Sequence, residues 1–284
     1  MIQSLRQIKS RIRGIENTRK ITRAMEMVSA AKLNRVKKAF YAFRPYFSCL
    51  ESIMKDLIAD MPLSGHPLIR AREHIARTGV CVITSDTGLC GAYNQNVIRH
   101  ARTFLEGRDK AAIRMITVGK EAFSYFTKQG YPIEKSYLGL YGRYSATLCD
   151  QIAGEMLEMY SSGEVGEIYI AYTHFSTSLR HAVTIDKFLP IEPGPGKRKF
   201  YILEPGADRV MNAMVGAYLL NRMRVIILDA FTAEHSARML AMKTATDNAD
   251  DLIDTLTLAR NKARQAAITK EILEIAMSAE ALKG

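Results

Sequence analysis

The chain of 284 residues has no uninterrupted apolar run of about eighteen residues or more, so no membrane-spanning helix is expected. Its four cysteines, Cys49, Cys81, Cys90 and Cys149, form no C-x-x-C pair, and its six histidines are scattered. The short-spaced ligand pairs of a zinc site are therefore missing, and free thiols in a reducing compartment are expected. Catalytic fingerprints are missing as well: there is no H-E-x-x-H, G-x-S-x-G, G-x-G-x-x-G or G-x-x-x-x-G-K-[ST]. "GPGK" (194–197) fails the last of these because position 191 is Ile. Residues 1–39 contain neither Trp nor Phe, which a helix lying in a membrane surface would place on its apolar face. The opening, "MIQSLRQIKSRIRGIEN", lacks the apolar stretch and cleavage site of a secretory signal. It is Arg-rich and amphipathic, as transit peptides are, but its pattern runs on unbroken, so Met1 is expected near the working N-terminus.

What the chain does have is unevenly placed positive charge. The net charge is +11, and residues 1–50 carry twelve basic side chains against Glu16 and Glu26. A basic face on one long element implies an acidic partner or surface. Nucleic acid is a poor candidate, because no recognition module or set of stacking aromatics accompanies the charge. A helical protein partner fits better.

Apolar residues recur at helical steps from Leu5, Ile8, Ile12 and Ile15, through Ile21, Met25 and Val28, to a 4-3 alternation. That alternation runs through Val36, Phe40, Phe43, Phe47, Leu50, Met54, Leu57 and Met61. One helix from Ser4 to about Ala59 follows, roughly 80 Å long at 1.5 Å per residue, with a bend expected at Pro45. The middle of the chain changes period. "GVCVITSD" (79–86), "IRMITVG" (113–119), "PIEKSYLG" (132–139), "EIYIAYTHF" (167–175) and "HAVTIDKFLPI" (181–191) read as strands. Helices are expected over 92–107, from 119 to about Gln129, and over about 144–161; "EPGPGKRK" (192–199) reads as a loop. From Ala207 the chain reads as helix to its end. The expected fold is α/β: a long antiparallel coiled coil of N-terminal (1–60) and C-terminal (207–284) helices, with a Rossmann-like α/β domain (75–192) inserted.

"ITSDTGLCGAYN" (83–94) is a strand, a glycine turn and a helix start, the place where doubly wound folds hold a phosphate. With only Gly88 and Gly91 it lacks the fingerprint, and tight-turn glycines are the better reading. Asp247, Asp250 and Asp251 do not match a calcium loop, and a solvated or partner-facing stripe is expected instead. The small residues of "AEHSARMLAMKTATDNA" (233–249) would let two helices approach closely. The apolar steps at Ile268, Ile272, Ile275 and Leu282 extend past anything in the chain that could cover them, which calls for another subunit.

Three segments carry a resemblance: "NTRKITRAMEMVSAAKL" (17–33), "ITSDTGLCGAYN" (83–94) and "SARMLAMKTATDNADDLIDTLTLARNKARQAAITKEILEI" (236–275). Through them the chain resembles the gamma subunits of bacterial F-type ATP synthases over nearly its whole length. The resemblance implies a rotor shaft whose terminal helices turn inside a ring of alternating alpha and beta subunits. Its α/β domain would sit beside epsilon on the membrane-embedded c-ring. One copy per complex, no catalytic residue and no cofactor are implied, with a peripheral position on the cytoplasmic face of the plasma (inner) membrane. Met25, Arg35, Arg238, Gln265, Thr269 and Glu271 match positions facing alpha and beta; Tyr201 and Glu204 match positions facing the c-ring. The family usually has Arg or Lys where this chain has Thr87, which removes the charge for an ionic contact from that loop. The chloroplast cysteine-bearing insertion is absent, so thiol control of rotation is not expected. Two other classes compete, an NAD(P)- or ATP-using α/β enzyme and a basic coiled-coil nucleic-acid binder. The missing glycine fingerprint argues against the first, and the α/β insertion against the second.

Overall fold

The computed structural model describes residues 5–60, 66–69, 77–177, 180–192 and 201–281. The loop expected over 192–199 and the seam positions Met61 and Leu282 lie outside the described residues, apart from Glu192. The elements run α1 (Leu5–Asp60), β1 (Thr78–Ile83), α2 (Tyr93–Leu105), β2 (Ile113–Val118), α3 (Lys120–Lys128) and β3 (Ile133–Tyr137). They continue with α4 (Ala146–Ser161), β4 (Glu167–Thr177), β5 (Arg180–Leu189) and α5 (Ala207–Ala281). Two compact units result: Ser29–Arg238, and Met1–Val28 with Met239–Gly284.

In the first unit the sheet has the order β3-β2-β1-β4-β5. β1, β2, β3 and β4 are parallel, while β5 returns antiparallel to β4. Because strand side chains alternate between faces, β1 divides its apolar residues between two cores. Val80 and Val82 join Val97, Leu105 and Phe126 from α2 and α3. Cys81 and Ile83 join Ile152 and Met156 of α4, Phe40 and Met54 of α1, and Leu219 and Phe231 of α5. The regular alternation from Val36 to Leu57 thus packs into the α/β core, not against a single helix. Pro45 lies on the exposed side of α1, which continues through it.

In the second unit α1 and α5 run antiparallel. Arg19 Nη1 donates to Asp250 Oδ1 at 2.7 Å, and one turn on, Thr22 Oγ1 meets Thr246 Oγ1 at 2.8 Å. Ile8, Ile12, Met242 and Ala249 are buried with them. The seam corrects the sequence reading here. Ile21 and Val28, expected to line it, are 60% and 56% exposed, whereas Thr22 and Ser29 are buried. The 4-3 alternation in fact passes unbroken from Ile8, Ile12, Ile15, Arg19, Thr22, Glu26 and Ser29 to Leu33 and Val36. Its middle is polar or small, so hydropathy alone misplaced it.

Candidate functional site

β1 ends in a turn whose geometry is built by polar side chains. Asn94 Oδ1 accepts from the Ser85 backbone N–H at 3.0 Å, and Asn94 Nδ2 donates to Ser85 Oγ at 2.8 Å. Ser85 Oγ is also 2.7 Å from the Thr87 carbonyl. The Asp86 carboxylate accepts backbone N–H groups from Lys120, Gly139 and Tyr141 at 2.8–3.2 Å, tying the turn to the segments after β2 and β3. Leu89 (φ 61°) and Gly91 (φ 59°) are both left-handed, which lets the chain double back into α2.

This turn lies at the switch point between β1 and β4, where a doubly wound sheet leaves a crevice for a dinucleotide. Here α5 fills that crevice. Tyr93 Oη donates to the Ala230 carbonyl at 3.1 Å, and Cys90, Tyr93, Phe175 and Ala233 form one buried cluster. The adjacent His235 has its Nε2 3.0 Å from the Gly142 carbonyl and is buried, which pushes its pKa down to about 4. That bond requires the proton on Nε2, and Nδ1 has no partner among the described residues.

Arg238, matched by resemblance to a position facing alpha and beta, is 7% exposed in the chain by itself. Its Nη1 donates to Glu234 Oε1 at 2.6 Å, and its Nη2 to the Thr87 carbonyl at 2.9 Å and Thr87 Oγ1 at 3.2 Å. Its Nε donates to the Gly88 carbonyl at 3.4 Å. Glu234 is buried, which raises its pKa, while Arg238 pulls it down. The two residues stand one helical turn apart, a spacing visible in the sequence, but nothing local says that both point inward.

The other matched positions are accessible to different degrees. Met25 is half-buried and Arg35 exposed. Gln265, Thr269 and Glu271 are exposed, and Thr269 Oγ1 donates to the Gln265 carbonyl at 3.0 Å. From Arg264 to Ser278 every side chain is exposed, including Ile268, Ile272, Leu273, Ile275 and Met277. The helix register explains this. With Thr22 level with Thr246, Leu5 reaches the level of Ala263, and α1 offers nothing further along α5. Tyr201 and Glu204 are exposed, and Tyr201 Oη donates to Asp56 Oδ2 at 3.0 Å. Between them stands Ile202, almost fully exposed, which sequence reasoning passed over. Asp247, Asp250 and Asp251 are exposed, Asp250 paired with Arg19, and no metal-binding cluster occurs among the described residues.

Residues 4–282 match a family model described as ATP synthase. The ATP synthase gamma chain of Pelotomaculum thermopropionicum is 40% identical over 285 residues, covering 99% of both chains. The ATP synthase gamma chain of Heliobacterium modesticaldum is 37% identical over 98% of this chain and 99% of its own. Among solved structures, a chain of the OSCP/F1/c-ring assembly of Euglena gracilis mitochondrial ATP synthase superposes with a TM-score of 0.67. It is 19% identical and covers 98% of this chain and 94% of its own, which establishes likeness of fold. At 35–40% identity along their full lengths with its curated relatives, the chain belongs to the ATP synthase gamma-chain family.

Proposed function

We propose that the chain is the central rotor shaft of an F-type ATP synthase. It carries rotation from the ion-driven c-ring to the beta subunits and holds no catalytic group or cofactor itself. The observation that carries this reading is the uncovered stretch of α5, in which every side chain from Arg264 to Ser278 is exposed and five are large and apolar. Large apolar side chains exposed on opposite faces of a helix that its own chain leaves uncovered mark a protein interface. Apolar contact is non-directional, so a surrounding sleeve of alpha and beta subunits can hold such a helix without a fixed bond at any one angle. Gln265, Thr269 and Glu271 stand on this stretch, and Met25 and Arg35 on α1, as contacts to that sleeve.

Tyr201 and Glu204, with the exposed Ile202, form the contact to the c-ring, and epsilon binds the α/β unit. No helix among the described residues is long and apolar enough to cross a membrane. Attachment through the c-ring then places one copy per complex at the cytoplasmic face of the bacterial plasma membrane. Because α5 occupies the switch-point crevice, the chain has no seat for ATP at the Gly88–Gly91 turn.

The test is reconstitution. The chain is expected to co-purify with alpha and beta in one copy, and a probe fixed to it should rotate when ATP is added. Failure to associate with alpha and beta, or ATP hydrolysis by the isolated chain, would overturn the reading.

A further inference from the structure

We propose that the helix pair of the second unit opens separately from the rest of the chain and is closed by the subunits around the shaft, so that assembly completes its folding. This rests on the rotor reading and adds that the shaft becomes stiff only inside the assembled complex.

The unit is built inside out. In Met1–Val28 and Met239–Gly284, three large apolar side chains are buried among the described residues, Ile8, Ile12 and Met242. Eleven are exposed, from Ile21, Met27 and Val28 on α1 to Leu252, Leu258 and Ile268 on α5 and beyond. In Ser29–Arg238 the balance is reversed, and a whole strand such as β1 is buried. The contents of the seam hold weakly. Thr22 and Thr246 share a hydrogen bond that replaces bonds to water, a small net gain. Arg19 and Asp250 have side-chain exposures of 37% and 51%, so solvent screens their attraction. Helices in water draw most of their stability from packing an apolar face, and here much of the apolar surface looks outward.

Ile21 and Val28 stand seven residues apart on one face of α1, and Leu252 and Leu258 look out from α5. Along α5 the exposed side chains continue into the uncovered stretch from Arg264 to Ser278. A partner on one side cannot cover the outward faces of both helices, whereas a surrounding sleeve of alpha and beta can. Covering a large apolar side chain contributes more than one net hydrogen bond in the seam. The strongest contacts open to this unit are therefore between chains, and the pair becomes ordered as its sleeve forms.

The experiment is hydrogen exchange of backbone amides, on the full-length chain by itself and in its complex with alpha and beta. In the chain by itself, the amides of 8–25 and 242–256 should share one opening and exchange about a hundredfold faster than those of β1 and β2. In the complex the same amides should slow by about a hundredfold or more. Ile21→Ser with Val28→Ser should leave exchange in the chain by itself as in the parent, because both side chains are exposed, and should reduce the protection gained in the complex about tenfold. Amides of the pair as slow as those of β1 in the chain by itself would overturn the separate opening. Fast exchange persisting in the complex would overturn closure by the partners, and full protection of the double variant would overturn closure through apolar cover. Failure of the parent chain to associate with alpha and beta would count against the rotor reading, while exchange in the chain by itself would still decide whether the pair opens separately.

Discussion

Thr22 of α1 and Thr246 of α5 face each other hydroxyl to hydroxyl at 2.8 Å, buried, at the centre of the antiparallel helix pair. Each hydroxyl also lies within reach of a carbonyl of its own helix, Arg19 for Thr22 (3.1 Å) and Met242 for Thr246 (2.9 Å). Two β-hydroxyls can approach this closely because neither side chain is larger than Val. Replacing either Thr by Val keeps the volume and removes the bridge. Each single change should lower unfolding stability by about 1 kcal/mol, and the double change by less than the sum, since both delete the same bond. A double-mutant cycle in denaturant checks this, and strict additivity would show that the hydroxyls do not interact.

His235 makes stability depend on pH in a defined direction. Its folded pKa is pushed down to about 4, from an ordinary value of 6.5, by burial. Above pH 6.5 the ring is neutral in both states and contributes no pH dependence. As pH falls from 6.5 towards about 4, the unfolded chain takes up a proton that the folded chain refuses, so stability is lost across that window. The loss is bounded at about 3 kcal/mol. His235→Gln should flatten the pH–stability curve of the isolated chain between those values. An unchanged slope would mean that other groups carry it.

The uncovered stretch of α5 separates folding from assembly. Ile272 and Ile275 are 60% and 64% exposed, so changing both to Ser removes no packing within the chain. Melting temperature should be unchanged within the effect of about ±0.5 kcal/mol typical of surface substitutions. Co-purification with alpha and beta should fall, because the apolar area they would cover is gone. A fall in melting temperature with assembly intact would reverse this assignment.

The basic face of α1 should act collectively. Arg35 and Lys38 are exposed, while Lys37 Nζ lies 5.8 Å from the Tyr41 ring centre and 5.9 Å from that of Phe175. Exposed ion pairs are worth only about 0–1 kcal/mol each. Arg35→Ala or Lys38→Ala alone should leave ATP-driven pumping close to the parent. The triple change with Lys37→Ala should weaken assembly or coupling in a graded, salt-sensitive way. A single substitution that abolished pumping, with the triple doing no more, would point to one dedicated contact.

Much of the architecture is local and is legible in the sequence. The strand of 113–119 and the helix of 92–107 are seen as β2 and α2, because periods of two and 3.6 are properties of short windows. The uncovered end of α5 was legible too, since the apolar steps at Ile268, Ile272 and Ile275 outrun any partner in the chain. The seam through Thr22 and Ser29 was not. A hydroxyl at a buried position looks like a hydroxyl on a surface until the opposing helix is placed, and Ile21 and Val28 misled by being apolar outside it. The direction of Arg238 escaped for the same reason: its partners Thr87 and Gly88 lie about 150 residues away in sequence. So did the fate of the glycine turn, whose residue pattern allowed a phosphate site until α5 was seen to occupy the crevice. Periodicity determined which segments are helices and strands, but only tertiary packing decided which polar side chains are buried, because burial is set by residues far away along the chain.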